Sequence, residues 1–170
     1  MLIDLGALSR GPIETVVDIP TDDPVLADLE CALDRPVEVR GRLMASGAGR
    51  YFWDAELATW VAGNCRRCLT PVQQPLRVWV QALFTEDVGT DDPAAYPLPT
   101  HAAEIDLGQA VREELILAVP RYVECREGCR GICAGCGTDL NTGTCSCRPE
   151  PDPRWAALDA LRGVLPNDER

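Results

Sequence analysis

Between Cys125 and Cys147 the chain reads CREGCRGICAGCGTDLNTGTCSC, a stretch that holds six of its nine cysteines. A thiolate pair two residues apart can clasp one ion from a single tight backbone turn, and a glycine after the second cysteine lets amides turn toward the sulfurs. Cys133-Ala-Gly-Cys136-Gly137 has that form, and Cys145-Ser-Cys147 supplies a second short pair. These four cysteines make a closed tetrahedral zinc site. A distant pair, Cys65-Arg-Arg-Cys68, needs two more thiolates from elsewhere, and Cys125 and Cys129 remain to supply them. Cys129 and Cys133 could exchange roles in this partition. Two zinc ions per chain are expected.

Three other uses of the thiols compete with zinc. A disulfide framework belongs to secreted proteins, but the first thirty residues lack a basic start and an apolar core before a small-residue cleavage site. Nine is an odd count, and neighbouring pairs separated by one to three residues suit metal clasping better than long loop-closing bridges. A reducing, cytoplasmic setting follows from this reading. A redox dithiol at Cys65 and Cys68 lacks a surrounding βαβ pattern. Iron-sulfur ligation also takes four thiolates and is left open by spacing.

The 170 residues, 46% of them apolar, suit one domain, or one domain with a small metal-stapled appendage. The expected division is a core at 1–120, a cysteine-rich zinc element at 121–148, and a linker with a C-terminal helix packing back on the core at 149–170. No uncharged run reaches the roughly 18 residues of a membrane span, so a soluble protein with no membrane partner is expected. The net charge of −11 argues against nucleic acid binding over the whole surface. Its distribution is uneven. Residues 64–77 and 121–148 hold seven arginines against Glu124, Glu127 and Asp139, whereas the rest of the chain holds nine arginines against 24 acids. All sixteen basic residues are arginine, whose guanidinium grips phosphate or carboxylate with two bonds. Two four-thiolate zinc sites would each add about −2, so part of the arginine excess could serve only to neutralise them.

In chain order, Ile13, Val17 and Ile19 mark a short first strand. Asp23-Pro24 reads as an N-cap and first-turn proline opening a short helix through Val25, Leu26, Leu29 and Leu33, with Cys31 inside it as a small buried hydrophobe. From Pro36 the period becomes two. Val37, Val39, Gly41 and Leu43 share one face, and after a hairpin loop at Ser46–Gly49 a second strand alternates through Tyr51, Trp53, Ala55, Leu57, Thr59 and Val61. The chain returns through Val72, Leu76, Val78, Val80, Ala82 and Phe84, which puts Cys65 and Cys68 at a hairpin end. Residues 86–104 are acidic and proline-rich without a sustained period and read as a surface loop, with His101 solvated in it. Asp106 and Gln109 resemble a capping box for a helix through Leu107, Ala110, Val111, Leu115 and Ala118. After the cysteines, Pro149–Pro153 is a stiff linker and Asp152-Pro153 opens a last helix bearing Trp155, Leu158, Leu161 and Leu165. The fold expected is α+β: an antiparallel meander, two or three packing helices and a cysteine-rich zinc element.

EIDLGQAVREELILAVP, CRRCL, the run CxxxCxGICxxCGxxLN ending in CxC, and DPRWAALDALR together resemble the bacterial and plastid YceD family over roughly residues 1–165. Members of that family are linked to accumulation of large-subunit (23S) ribosomal RNA. Some keep the first cysteine pair and lack the complete later cluster, which implies separable sites and a structural role for the second. The resemblance implies a ribosome biogenesis factor whose partner is large-subunit ribosomal RNA or a pre-ribosomal particle. The alternative is a protein-interaction module that holds a basic large-subunit ribosomal protein. Arg66 and Arg67, between two ligands, and Arg126 and Arg130, flanking Cys129, are the candidate RNA contacts, with at least one of the first two projecting into solvent. No enzymatic activity is expected. Four cysteines per ion close the coordination shell, and a lone His101 completes no Ser/His/Asp constellation.

Overall fold

In the computed structural model, residues 1–27, 29–86, 93–148, 152–155 and 158 are described. They fall into two compact units, one formed by Met1–Arg66 with Thr70–Cys125, the other by Arg67–Leu69 with Arg126–Arg170.

The first unit is α+β. Its main sheet has the order β2 (Ile13–Ile19), β4 (Val37–Gly47), β5 (Arg50–Asn64), β6 (Pro71–Thr85) and β7 (Tyr96–Pro97), antiparallel except for the β6–β7 pair. A separate two-stranded ladder joins β1 (Leu2–Asp4) to β8 (Glu104–Asp106). Period-two alternation sorts the long strands into two faces. Val37, Val39, Leu43, Trp53, Leu57, Val80 and Phe84 are buried, and the buried side of helix α1 (Gly108–Ala118), Ala110, Val111 and Leu115, joins the same core. Inside that core Trp53 Nε1 donates to Thr15 Oγ1 at 3.0 Å. Trp53→Phe leaves that hydroxyl unpaired beside a small void, so it is expected to cost about 2 kcal/mol in urea denaturation. Adding Thr15→Val should recover part of the loss, because removing both partners of a buried pair is cheaper than removing one.

Three expectations from sequence need correction. The helix through Val25, Leu26, Leu29 and Leu33 is a single 3-10 turn, Pro24–Leu26, followed by the short strand β3 (Ala32–Leu33), which pairs with β5. Asp23 does cap that turn, its Oδ1 accepting from Val25 N at 2.9 Å. The helix stops because the Arg112 guanidinium, from α1, donates to the carbonyls of Val25 and Ala27 that a continuing helix would use. The second correction concerns residues 86–104, where β7 and the start of β8 lie within the expected loop; Phe84 stacks on Tyr96 at 5.1 Å. Third, there is no capping box. Asp106 Oδ1 accepts from Gly108 N, but Gln109 Nε2 turns to Glu113 instead of reaching back.

His101 is exposed with φ 60°, and Cys31 is half-buried ahead of β3. Of the expected linker and C-terminal helix, residues 149–151, 156–157 and 159–170 lie outside the described residues. Pro153–Trp155 forms a 3-10 turn. Among the described residues no helix is long and apolar enough to cross a membrane.

Candidate metal centres

The β5–β6 hairpin ends in the first cysteine turn. The Cys65 amide donates to the Thr70 carbonyl at 2.8 Å, closing a loop of four intervening residues. Leu69, the residue after the second cysteine, has φ 62°. Glycine holds the corresponding position in the later turn, where Gly137 has φ 75°. The hairpin thus accepts a left-handed leucine, a conformation that costs a side-chain-bearing residue about 1–2 kcal/mol, in order to turn its backbone as a CxxCG turn does. Val123 pairs with Cys65 in a parallel bridge, and Arg66 N donates to Val123 O at 3.0 Å, which brings the segment carrying Cys125 alongside the turn.

In the second unit the Cys133 turn is built from backbone bonds. Gly137 N donates to Cys133 O at 2.8 Å, Cys133 N to Thr138 O at 2.9 Å, and Gly135 N to Cys133 Sγ at 3.4 Å. The Ile132 amide donates to Arg67 O and Leu140 N to Gly131 O, tying these loops together. Gly131 is required where it stands: its φ is 75°, and a Cβ there would sit 2.9 Å from Arg67 O.

These loops gather eight of the cysteines into two quartets. Cys65, Cys68, Cys125 and Cys129 form one, Cys133, Cys136, Cys145 and Cys147 the other, and the sulfurs of each lie within 4.8 Å of one another. A tetrahedral ion at the usual Zn–S length of about 2.3 Å spaces its sulfurs about 3.8 Å apart, so each quartet needs only small side-chain rotations to close on zinc. No disulfide links any of the nine cysteines. Cys65, Cys68 and Cys129 are buried and Cys125 exposed, whereas Cys136, Cys145 and Cys147 are exposed and Cys133 half-buried.

The electrostatics of the outer quartet fit a cation. The Thr138 hydroxyl and amide pull the Cys136 thiol down to about 6, and the amides of Cys136 and Gly135 lower Cys133. Beside them Cys145 is raised, chiefly by Cys133, and Cys147 is pushed up to about 12, first by Cys136. Four crowded sulfurs therefore do not all ionise on their own. A divalent cation would take the place of the retained protons and stabilise four thiolates.

The candidate arginines are placed as follows. Arg66 pairs with Glu124 at 2.5 Å and lies over the Tyr122 ring, its side chain still 49% exposed. Arg67 turns its Nη1 onto the Cys129 carbonyl at 2.9 Å. Arg126 donates to Asn141 Oδ1 at 2.9 Å, and the Arg130 amide donates to the same oxygen while its residue is exposed. Asn141 went unnoticed as a site residue. Its Nδ2 also donates to Cys129 Sγ at 3.5 Å and to Asp139 Oδ1, so one amide orients a ligand sulfur and two arginine-bearing segments. The asparagine in the turn after the CxxCG motif was the available signal.

Set against known proteins, residues 53–162, which include both quartets, match the sequence model of the large ribosomal RNA subunit accumulation protein YceD. The chain belongs to the YceD family. Among curated relatives, a Mycobacterium tuberculosis protein described as uncharacterized is 32% identical over 110 residues, 63% of this chain and 53% of the relative. The Zea mays protein named large ribosomal RNA subunit accumulation protein YCED homolog 1, chloroplastic, is 27% identical over 193 residues, 95% of this chain and 60% of the relative. The Arabidopsis thaliana homologue of the same name is 32% identical over 72 residues, 42% of this chain and 22% of the relative. This YceD chain spans about half the length of the curated relatives it matches. No solved structure matches it.

Proposed function

We propose that this YceD chain is a non-enzymatic ribosome biogenesis factor of the cytoplasm that supports 23S ribosomal RNA accumulation and large-subunit assembly by engaging pre-ribosomal RNA or particles. The observation that carries the reading is the YceD match, which extends through both cysteine quartets. Each quartet holds one zinc ion through Cys65, Cys68, Cys125 and Cys129, or through Cys133, Cys136, Cys145 and Cys147. The ions are structural, because four thiolates close the shell and leave no position for substrate.

Within this reading the arginines divide the work. Arg67 spends its guanidinium on the Cys129 carbonyl and Arg66 on Glu124, so both hold the cysteine loops as well as offering charge. Arg126 and Arg130 are the cleaner phosphate contacts. Arg130 is exposed, and its backbone is fixed through Asn141. Arg130→Ala is expected to keep zinc content and thermal stability, weaken co-sedimentation with large-subunit particles and flatten the salt dependence of RNA binding. Arg67→Ala is expected to disturb the metal region itself. If nuclease-treated lysate still yields a basic ribosomal protein bound to the chain and Arg130→Ala binds particles like the parent, the protein-partner reading replaces the RNA reading.

A further inference from the structure

The solvent face of the main sheet has no described element over it, and its side chains form a grid that strand register fixes. Across β2, β4, β5 and β6 one row reads Asp18, Glu38, Ala58, Arg77. The next reads Val16, Arg40, Glu56, Trp79, and the one after it Glu14, Arg42, Asp54, Gln81. A last row continues on three strands as Met44, Phe52, Leu83. Trp79 is 71% and Val16 64% exposed, unusual for large apolar groups set in a row with Arg40 and Glu56. Phosphate is a poor ligand here. Arg40, Arg42 and Arg77 already pair with Glu38, Glu14 and Glu56, and carboxylates outnumber arginines on the face.

We propose that this face is a self-association surface, on which a second copy of the chain packs about a two-fold axis running along the strands between β4 and β5. Such an axis lays β4 on the partner's β5 and β2 on the partner's β6. Row by row, Arg40 then meets the partner's Glu56, Arg42 the partner's Asp54, and Asp18 the partner's Arg77. Val16 meets the partner's Trp79, Met44 the partner's Phe52, and Glu14 the partner's Gln81. Three of these pairings set opposite charges together and two set apolar groups together, while Glu14 and Glu38 face the neutral Gln81 and Ala58. That degree of self-complementarity is what an isologous interface demands, because each contact must work in both directions. The alternation that serves the fold, arginine beside carboxylate on neighbouring strands, becomes complementary again when the face meets itself. Sheets pack face to face about 10 Å apart with strands nearly aligned, which this arrangement permits. A second copy also satisfies the arginines, since a guanidinium fork can serve its own carboxylate and the partner's together. A polar face of this kind gives a transient, micromolar dimer.

Sedimentation velocity of the full metal-loaded chain over rising concentration tests this. The parent should move from monomer to dimer, and Val16→Glu and Trp79→Arg should each raise the dissociation constant at least about tenfold. Residues 16 and 79 lie three strand spacings apart within a chain, about 14 Å, too far for contact. The double variant V16E/W79R should therefore bring the constant back toward the parent value, because its two new charges meet only across the interface. The exchange D18R/R77D provides a second pair, and circular dichroism confirms that each variant is folded. A parent that stays monomeric at every concentration overturns the proposal. So does a dimer indifferent to both single changes, or one that the charge exchanges fail to restore.

Discussion

Zinc-replete protein is expected to carry two zinc ions per chain, Cys65→Ser to carry one, and Cys136→Ser to carry the other. Each quartet has its four sulfurs within 4.8 Å and neither borrows a sulfur from the other, so the loss of one ligand should empty one site. The consequences differ because the supports differ. Cys65 sits at the end of two fifteen-residue strands whose apolar core does not depend on metal. The described residues of the second unit form mostly turns, their regular structure being one isolated bridge, Ile132 to Asp139, one 3-10 turn and the helical Leu158. Structural zinc can contribute on the order of 10 kcal/mol to folding in small cysteine-rich elements, comparable to the whole stability of many domains. A strong chelator should therefore abolish amide protection around 129–143 while leaving β4, β5 and β6 protected, as hydrogen exchange read by mass spectrometry would show. Elemental analysis that finds no zinc in the parent would sink the assignment. Loss of both ions from Cys65→Ser would instead mean that the quartets fold as one unit.

What the sequence disclosed tracks the range over which each structural cause acts. β4, β5 and β6 announce themselves because alternation is a local property and burial of one face enforces it over many residues. The short cysteine pairs were legible for the same reason, since each lies within one tight turn, whereas the grouping of Cys65 and Cys68 with Cys125 and Cys129 joins distant segments and followed only from which thiols remained. The helix proposed at residues 24–33 had correct local signals, and Asp23 does cap a turn, but Arg112, far along the chain, takes the carbonyls it needed. Strands β7 and β8 are too short to show a period, and each exists only because a remote strand pairs with it, β6 for one and β1 for the other. The same distance effect hid the inward turn of Arg67, since its acceptor is the carbonyl of Cys129, 62 residues on. Leu69 gave no warning of its left-handed backbone. Only the geometric equivalence with Gly137, once both turns are seen, explains it.

Gly41→Ala is expected to destabilise the first unit by about 3 kcal/mol, against the usual direction for replacing glycine inside a strand. Removing a mid-strand glycine ordinarily helps by about 0.5–1 kcal/mol, because glycine loses more freedom than alanine on folding. Gly41 is different because of what faces it. It pairs with Thr15 on β2 and Ala55 on β5, and a Cβ at this position would lie 2.4 Å from Ala55 Cβ, 2.7 Å from Asp54 O and 2.9 Å from Ala55 Cα. Two of these three atoms belong to the backbone of the central strand and cannot rotate away. The strands must separate locally, which strains the ladder on both sides and loosens the packing of Trp53 and Val80 beneath it. The double variant G41A/A55G separates the causes. Removing the Ala55 methyl relieves the shortest contact but leaves Asp54 O and the Cα in place, so recovery should be partial. Urea denaturation of the metal-loaded chain measures all three proteins on one scale. A Gly41→Ala unfolding free energy within about 0.5 kcal/mol of the parent's, the range of ordinary surface substitutions, would show that β4 and β5 stand farther apart at this point than the contact distances require.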